Sequence, residues 1–252
     1  MRVHLFAHVK MGIKMLHAAL GRSTAATLAR FALFISGIIL SISVAHAEGT
    51  PHLRFGRSPT HNDVLVMIWT GIVESGMSEE IRTAFDANKD SIRAVELKLD
   101  SGGGSVAEGE RVIAVLQMIK RTHTLYTAVA AGKECGSMCV FIYVQGQKRL
   151  AAPASLWLFH EVSVKDPQTH KITRLDRTAW ERLVDKYWVP AGVDRAWLET
   201  VKSRTFQTDY WQTGQSLLED KANIIQKALT DEHRRVVGLS SPAGSTSTRS
   251  SR

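Results

Sequence analysis

The chain has 252 residues, of which 44% are hydrophobic and 22% charged, the profile of a globular protein with room for one large domain or two small ones. Its formal charge of +8 is unevenly spread. The first 47 residues hold Arg2, Lys10, Lys14, Arg22 and Arg30 and no acid, so a chain without them keeps a net charge of only +3, too little to suggest a nucleic-acid surface.

That N-terminal segment continues with an apolar stretch from Phe31 to Val44 and the triplet Ala45-His46-Ala47. A basic region, an apolar core and small residues flanking one position are the layout of an export signal, here with cleavage expected before Glu48. The basic region is long for a signal, which leaves Met11 and Met15 as alternative starts. If uncleaved, residues 31–45 would be a membrane anchor, although the apolar run is short of the roughly 20 residues that span a bilayer. The expected organisation is a signal at 1–47, an α/β domain at 48–239 and a disordered tail at 240–252 rich in Ser, Thr and Gly. The expected location is the bacterial periplasm, or the outer side of the inner membrane if anchored.

After a polar lead-in, Val64 to Trp69 is an apolar, β-branched run that predicts a buried strand ending at Thr70-Gly71. Ser78-Glu79-Glu80 opens a helix with Ile81, Ala84 and Phe85 on one face, finishing near Asn88. Ala94 to Leu99 alternates as a strand and turns at Gly102-Gly103-Gly104. Ser105-Val106-Ala107-Glu108 has the form of a capping box, and the helix it opens sets Val112, Leu116 and Ile119 on one face. Strands are expected at Thr124 to Ala130, Arg149 to Ala151 and Ser155 to Phe159, with a helix at Met138 to Val144. Residues 161–172 read as a loop. Leu175, Ala179, Leu183 and Val184 fit an amphipathic helix broken at Pro190, and helices follow at Asp194 to Lys202 and Gln215 to Leu229. Strands alternating with helices predict an α/β fold with a mostly parallel sheet.

Three segments hold residues suited to chemistry. Ser137 stands between an apolar strand and an apolar helix, where a sharp turn exposes a hydroxyl and the next amide, that of Met138, is free at a helix start. The same serine could equally be a helix cap, and the segment has Cys135 and Cys139 where the Gly-x-Ser-x-Gly pattern has glycines. The three glycines fit neither a Gly-x-Gly-x-x-Gly fingerprint nor a P-loop. They make either a simple tight turn or a backbone that brings the Gly104 N–H close to a substrate carbonyl. His160 ends an apolar run and is either a half-buried structural histidine or a general base that needs an acid other than Glu161, which would point to the opposite face. An exported chain favours a Cys135–Cys139 disulfide, which requires that the turn between them not be helical. The sequence suggests no cofactor and no metal, since two cysteines make at most half a zinc site.

In order, these segments resemble the Clp protease proteolytic subunit, of the Clp protease/crotonase fold with its stacked β-β-α units. The similarity runs from about Val64 to Ile225 and rests on Gly103-Gly104-Ser105, Gly136-Ser137-Met138, the Gly-x-x-Arg hairpin of Gly146 to Arg149, and Leu158-Phe159-His160. The resemblance implies Ser137 as nucleophile, His160 as base, and the Gly104 and Met138 amides as oxyanion hole. Asp209, in Asp209-Tyr210-Trp211-Gln212-Thr213-Gly214, is the implied acid, with Asp185, Asp194 and Glu199 as rivals. It also implies a homo-oligomer, trimer or hexamer, acting on peptides. Gly102 stands where that family has proline, and the Cys-x-Ser-x-Cys elbow is closer to exported bacterial proteins of this fold. The function expected is an exported serine peptidase acting on short or unfolded peptides without ATP. A Ser-Lys dyad using Lys133 or Lys148 is a variant. The alternatives are a catalytically silent binding or scaffold protein with a disulfide-clamped elbow, and acyl-CoA chemistry, which an exported protein would seldom encounter.

Overall fold

A computed structural model describes residues 52–169 and 171–229. The expected signal and the expected C-terminal tail lie outside the described residues. The main sheet has the order β1-β2-β3-β4-β6-β11, formed by Leu53–Arg57, Val64–Thr70, Ala94–Asp100, Thr124–Val129, Lys148–Ala151 and Lys227–Ala228. Only the β1–β2 pair is antiparallel. The α/β reading with a mostly parallel sheet therefore holds.

Period-two alternation decides which way the central strands face. Leu65, Met67 and Trp69 of β2 and Val95, Leu97 and Leu99 of β3 all point to one side and are almost fully buried. They pack against α1 (Met77–Asp86) and α2 (Val106–Ile119), whose Ile81, Phe85, Val112 and Leu116 return the contact. Removing a Leu side chain from water contributes roughly 1.5–3 kcal/mol, so this layer is the main source of stability. The other side of the sheet carries a smaller apolar group, Ala128, Leu150, Ala152 and Leu229, with Tyr126 alongside.

A second sheet, β10-β7-β5, positions the candidate chemistry. It consists of β5 (Glu134–Gly136) parallel to β7 (Leu156–Phe159), with β10 (Tyr210–Thr213) antiparallel on the far side of β7. The helix α3 (Met138–Tyr143) leaves directly from the elbow after β5. Behind this sheet, Phe159 meets Trp188 and Trp197 edge-on with ring centroids 5.8 and 5.3 Å apart, and Phe141 stacks on Trp188 at 4.7 Å. The aromatic cluster fixes the ends of β7 and α3 from below.

Three expectations fail. Residues 161–172 are not a simple loop, because β8 (Val162–Lys165) and β9 (Ile172–Asp176) pair as an antiparallel hairpin. Leu175 thereby belongs to a strand, and the helix begins only at Arg177, capped by the Asp176 side chain, which accepts from the Ala179 amide at 2.9 Å. This helix, α4 (Arg177–Leu183), runs into a wider π turn over Val184–Trp188 before Pro190. The helix expected at Gln215 to Leu229 is only α6 (Gly214–Glu219), because Lys221 and Asn223 take positive φ angles and turn the chain back into β11. In contrast α5 (Arg195–Arg204) starts where expected, with Asp194 as its cap. The capping box at Ser105 is half formed. Ser105 Oγ accepts from the Glu108 amide at 3.2 Å, but the Glu108 carboxylate turns to the Ser78 amide at 2.7 Å and to Arg111.

Candidate active site

Ser137 has φ 51° and ψ −123°, a conformation that a non-glycine residue adopts only under constraint, at a cost of order 1–3 kcal/mol. The constraints are visible around it. Its N–H donates to the Leu158 carbonyl at 2.8 Å, and its own carbonyl accepts from Val140 at 3.0 Å. Cys135 at the centre of β5 and Cys139 in the first turn of α3 are joined by a disulfide, with Cα atoms 5.3 Å apart. The expected bridge is present, and the turn it spans is non-helical, as the spacing required. Ser137 is a poor example of a cap: its hydroxyl bonds neither the helix it precedes nor any other described residue.

The glycine turn packs against this elbow. A Cβ added at Gly103, where φ is +101°, would lie 2.6 Å from Ser137 Cβ and 2.7 Å from the Gly136 carbonyl oxygen, so no side chain fits. Gly104 is held from the other side by Val73, whose carbonyl accepts from Ser105 and whose amide donates to Gly103, both at 2.7 Å. These bonds leave the Gly104 N–H without a partner among the described residues. The Met138 N–H, the first of α3, is likewise free. Two unpaired amides thus flank the elbow, one on each neighbouring segment, and the helix start adds a partial positive charge.

The strand register brings the other two candidates to the same edge of the second sheet. Ser137 follows the last residue of β5, and His160 follows the last residue of β7, which runs parallel to it. On the other flank, Tyr210 pairs with Phe159 in the antiparallel ladder, so one step further Asp209 falls opposite His160. Serine, histidine and aspartate therefore end three adjacent strands in the order β5, β7, β10. Asp209 is exposed, while Ser137 and His160 are half-buried.

His160 Nδ1 bonds the backbone carbonyl of Glu161. A carbonyl can only accept, so Nδ1 carries the proton and Nε2 is left as the basic nitrogen. No hydrogen bond joins His160 to Ser137 or to Asp209 in this conformation. The tautomer is set by a main-chain group that residue-type reasoning overlooked, because a carbonyl has no signature in the sequence. The Glu161 side chain is engaged elsewhere, buried and paired with Arg177 at 3.1 Å. The rival acids are also occupied or remote from this edge: Asp194 caps α5, Glu199 pairs with Lys202 at 3.0 Å, and Asp185 sits on the π turn. Of the dyad candidates, Lys133 is taken by Asp100 at 2.8 Å, and Lys148 is exposed on β6 in the main sheet.

An α/β protein with a strained serine between a strand and a helix, and with two free amides beside it, has the layout of a serine hydrolase. Residues 62–174 match the model of the Clp protease family. Among solved structures, a ClpP1 mutant from Listeria monocytogenes superimposes with a TM-score of 0.52 at 14% identity, covering 69% of this chain and 94% of that one. No curated protein sequence matches the chain. Over residues 62–174 the chain is similar to the Clp protease family, a likeness that suggests a serine peptidase, and its mixed α/β architecture resembles the ClpP fold.

Proposed function

We propose that the protein is a serine peptidase in which Ser137 Oγ attacks the scissile carbonyl while His160 Nε2 takes its proton. The Gly104 and Met138 amides receive the oxyanion of the tetrahedral intermediate. His160 then returns the proton to the departing amine, and water repeats the sequence on the acyl-enzyme to release the acid. Asp209 steadies the imidazolium once a substrate draws the ring toward Ser137. Apo sites commonly hold such contacts open until substrate arrives.

The observation that carries the reading is the order of Ser137, His160 and Asp209 at the ends of three adjacent strands, with the strained serine between two unpartnered amides. In the same reading the protein is exported and acts in the periplasm, or from an anchor at residues 31–45. It works as a homo-oligomer on short or unfolded peptides without ATP, since an exported chain would not meet ATP-dependent unfoldase partners.

The silent scaffold reading is favoured by one observation, the missing Ser137–His160 bond beside a disulfide-clamped elbow. Labelling with a fluorophosphonate probe separates the two. The wild type should be labelled and Ser137→Ala should not. Absence of labelling in both oxidised and reduced wild-type protein would refute the peptidase and leave the scaffold.

A further inference from the structure

At the opposite end of α3 from Ser137, about 9 Å along the helix at 1.5 Å per residue, lies a second polar site. Arg149 of β6 is only 2% exposed. Its Nη1 donates to the carbonyls of Val144 at 3.3 Å and Ala191 at 2.9 Å, and its Nη2 donates to that of Asn223 at 2.7 Å. No carboxylate among the described residues pairs with it. Its buried Nε–H has no partner among the described residues. A guanidinium carries five N–H donors, and carbonyl dipoles offset only part of the cost of taking a full charge out of water.

Beside Arg149 opens a cavity of about 320 Å³, whose walls include Gln117, Lys120, Gln147, Lys186 and Gln226. Three elements each contribute a cation: Lys120 follows α2, Arg149 is on β6 and Lys186 is on the π turn. The one acid bonded to this group, Glu110, is shared by Lys186 Nζ at 2.8 Å and Tyr187 Oη at 2.9 Å. The amides of the wall are biased the same way. Gln147 Oε1 accepts from the Leu125 amide at 2.9 Å and Gln226 Oε1 from the Arg149 amide at 3.1 Å, so what each has left is its NH2. Gln145 is the exception, its Nε2 donating to the Phe141 carbonyl. The cavity is cationic and its spare hydrogen-bonding capacity is mainly in donors.

We propose that this cavity binds an oxyanion, the carboxylate or phosphate group of a small molecule, with Arg149 and Lys120 as its charge partners. The volume admits such a group with a short organic body. Burial and the Arg149 charge both hold the Lys120 ammonium below its ordinary pKa, a repulsion that a bound anion would relieve.

The test is thermal unfolding of protein expressed from the whole chain, titrated at matched ionic strength with inorganic phosphate in one arm and succinate in the other, against chloride. A saturable rise in Tm is expected with at least one probe. A response to phosphate alone identifies a phosphate group, and a response to succinate alone a carboxylate. Lys120→Gln, on a partly exposed side chain, should not lower the chloride Tm and should weaken binding about tenfold. Lys120→Ala provides a second variant if Lys120→Gln does not fold. No saturable shift with either anion, or unchanged affinity in the folded variant, would overturn the proposal. Neither result involves Ser137, so the peptidase reading stands or falls separately.

Discussion

Glu96 offers the sharpest test of the electrostatics. It lies in the middle of β3, between Val66 of β2 and Tyr126 of β4, on the side of the main sheet away from α1 and α2. It is 2% exposed, and neither carboxylate oxygen has a hydrogen-bond partner. Burial raises its pKa from 4.5 to about 7, only partly offset by Lys98 on the same strand. Because the folded value lies above the unfolded one, the native state binds more protons between these two pH values. The Glu96 contribution to stability is then greatest below pH 4.5, falls as pH rises toward about 7, and is flat above it. At about 1.4 kcal/mol per pKa unit the loss is ~3 kcal/mol. Glu96→Gln keeps the shape and removes the charge, so it should be about 3 kcal/mol more stable than the wild type at pH 8.5 and equal to it near pH 4.5. Urea unfolding followed by tryptophan fluorescence at both values measures the difference, with an unchanged m-value as the control. A gain of equal size at both pH values, or none at pH 8.5, would refute the reasoning.

Two further outcomes concern the elbow. Replacing Cys135 and Cys139 together by Ala should cost about 2 kcal/mol, the closure entropy of so short a loop, and wild-type protein in reductant should show a similar loss in urea unfolding. Ser137→Gly should be about 1 kcal/mol more stable than Ser137→Ala, since only glycine adopts the positive φ without strain. Differential scanning calorimetry would register this as roughly 2–4 °C in Tm, and equal Tm values would mean that Ser137 is unstrained.

The parts of this fold that were legible in the sequence are those set by local pattern. The apolar run of β2, the alternation of β3, the face of α2 and the helix start near Asp194 each depend on residues within a turn or two of one another, and each appears where it was expected. Apart from the helix cut short at Lys221 and Asn223, the errors come from long-range pairing. Residues 162–176 are polar and interrupted by Pro167, and they become a hairpin only because each strand supplies the other's hydrogen bonds. Leu53–Arg57 reads as a polar lead-in because four of its five residues are exposed, and it is a strand only by its register against β2. In the same way Glu134–Gly136 is too short to signal a strand by itself. The candidate site follows this division. Ser137 and the glycines announce themselves by residue type, whereas the position of Asp209 opposite His160 exists only in the β7–β10 register.

The elbow's constraints are redundant, and that bears on what the disulfide does. If Cys135–Cys139 alone enforced the strained turn, reduction would release Ser137 to an ordinary helical start. The Ser137 amide, however, is also tied to β7, and Gly103 packs against Ser137 Cβ with no space for retreat. Loss of about 2 kcal/mol from the bridge is comparable to the 1–3 kcal/mol of strain, so the crosslink offsets the strain without being its cause. The glycine turn and β7 shape the nucleophile's geometry, and the disulfide restores the stability that this geometry costs.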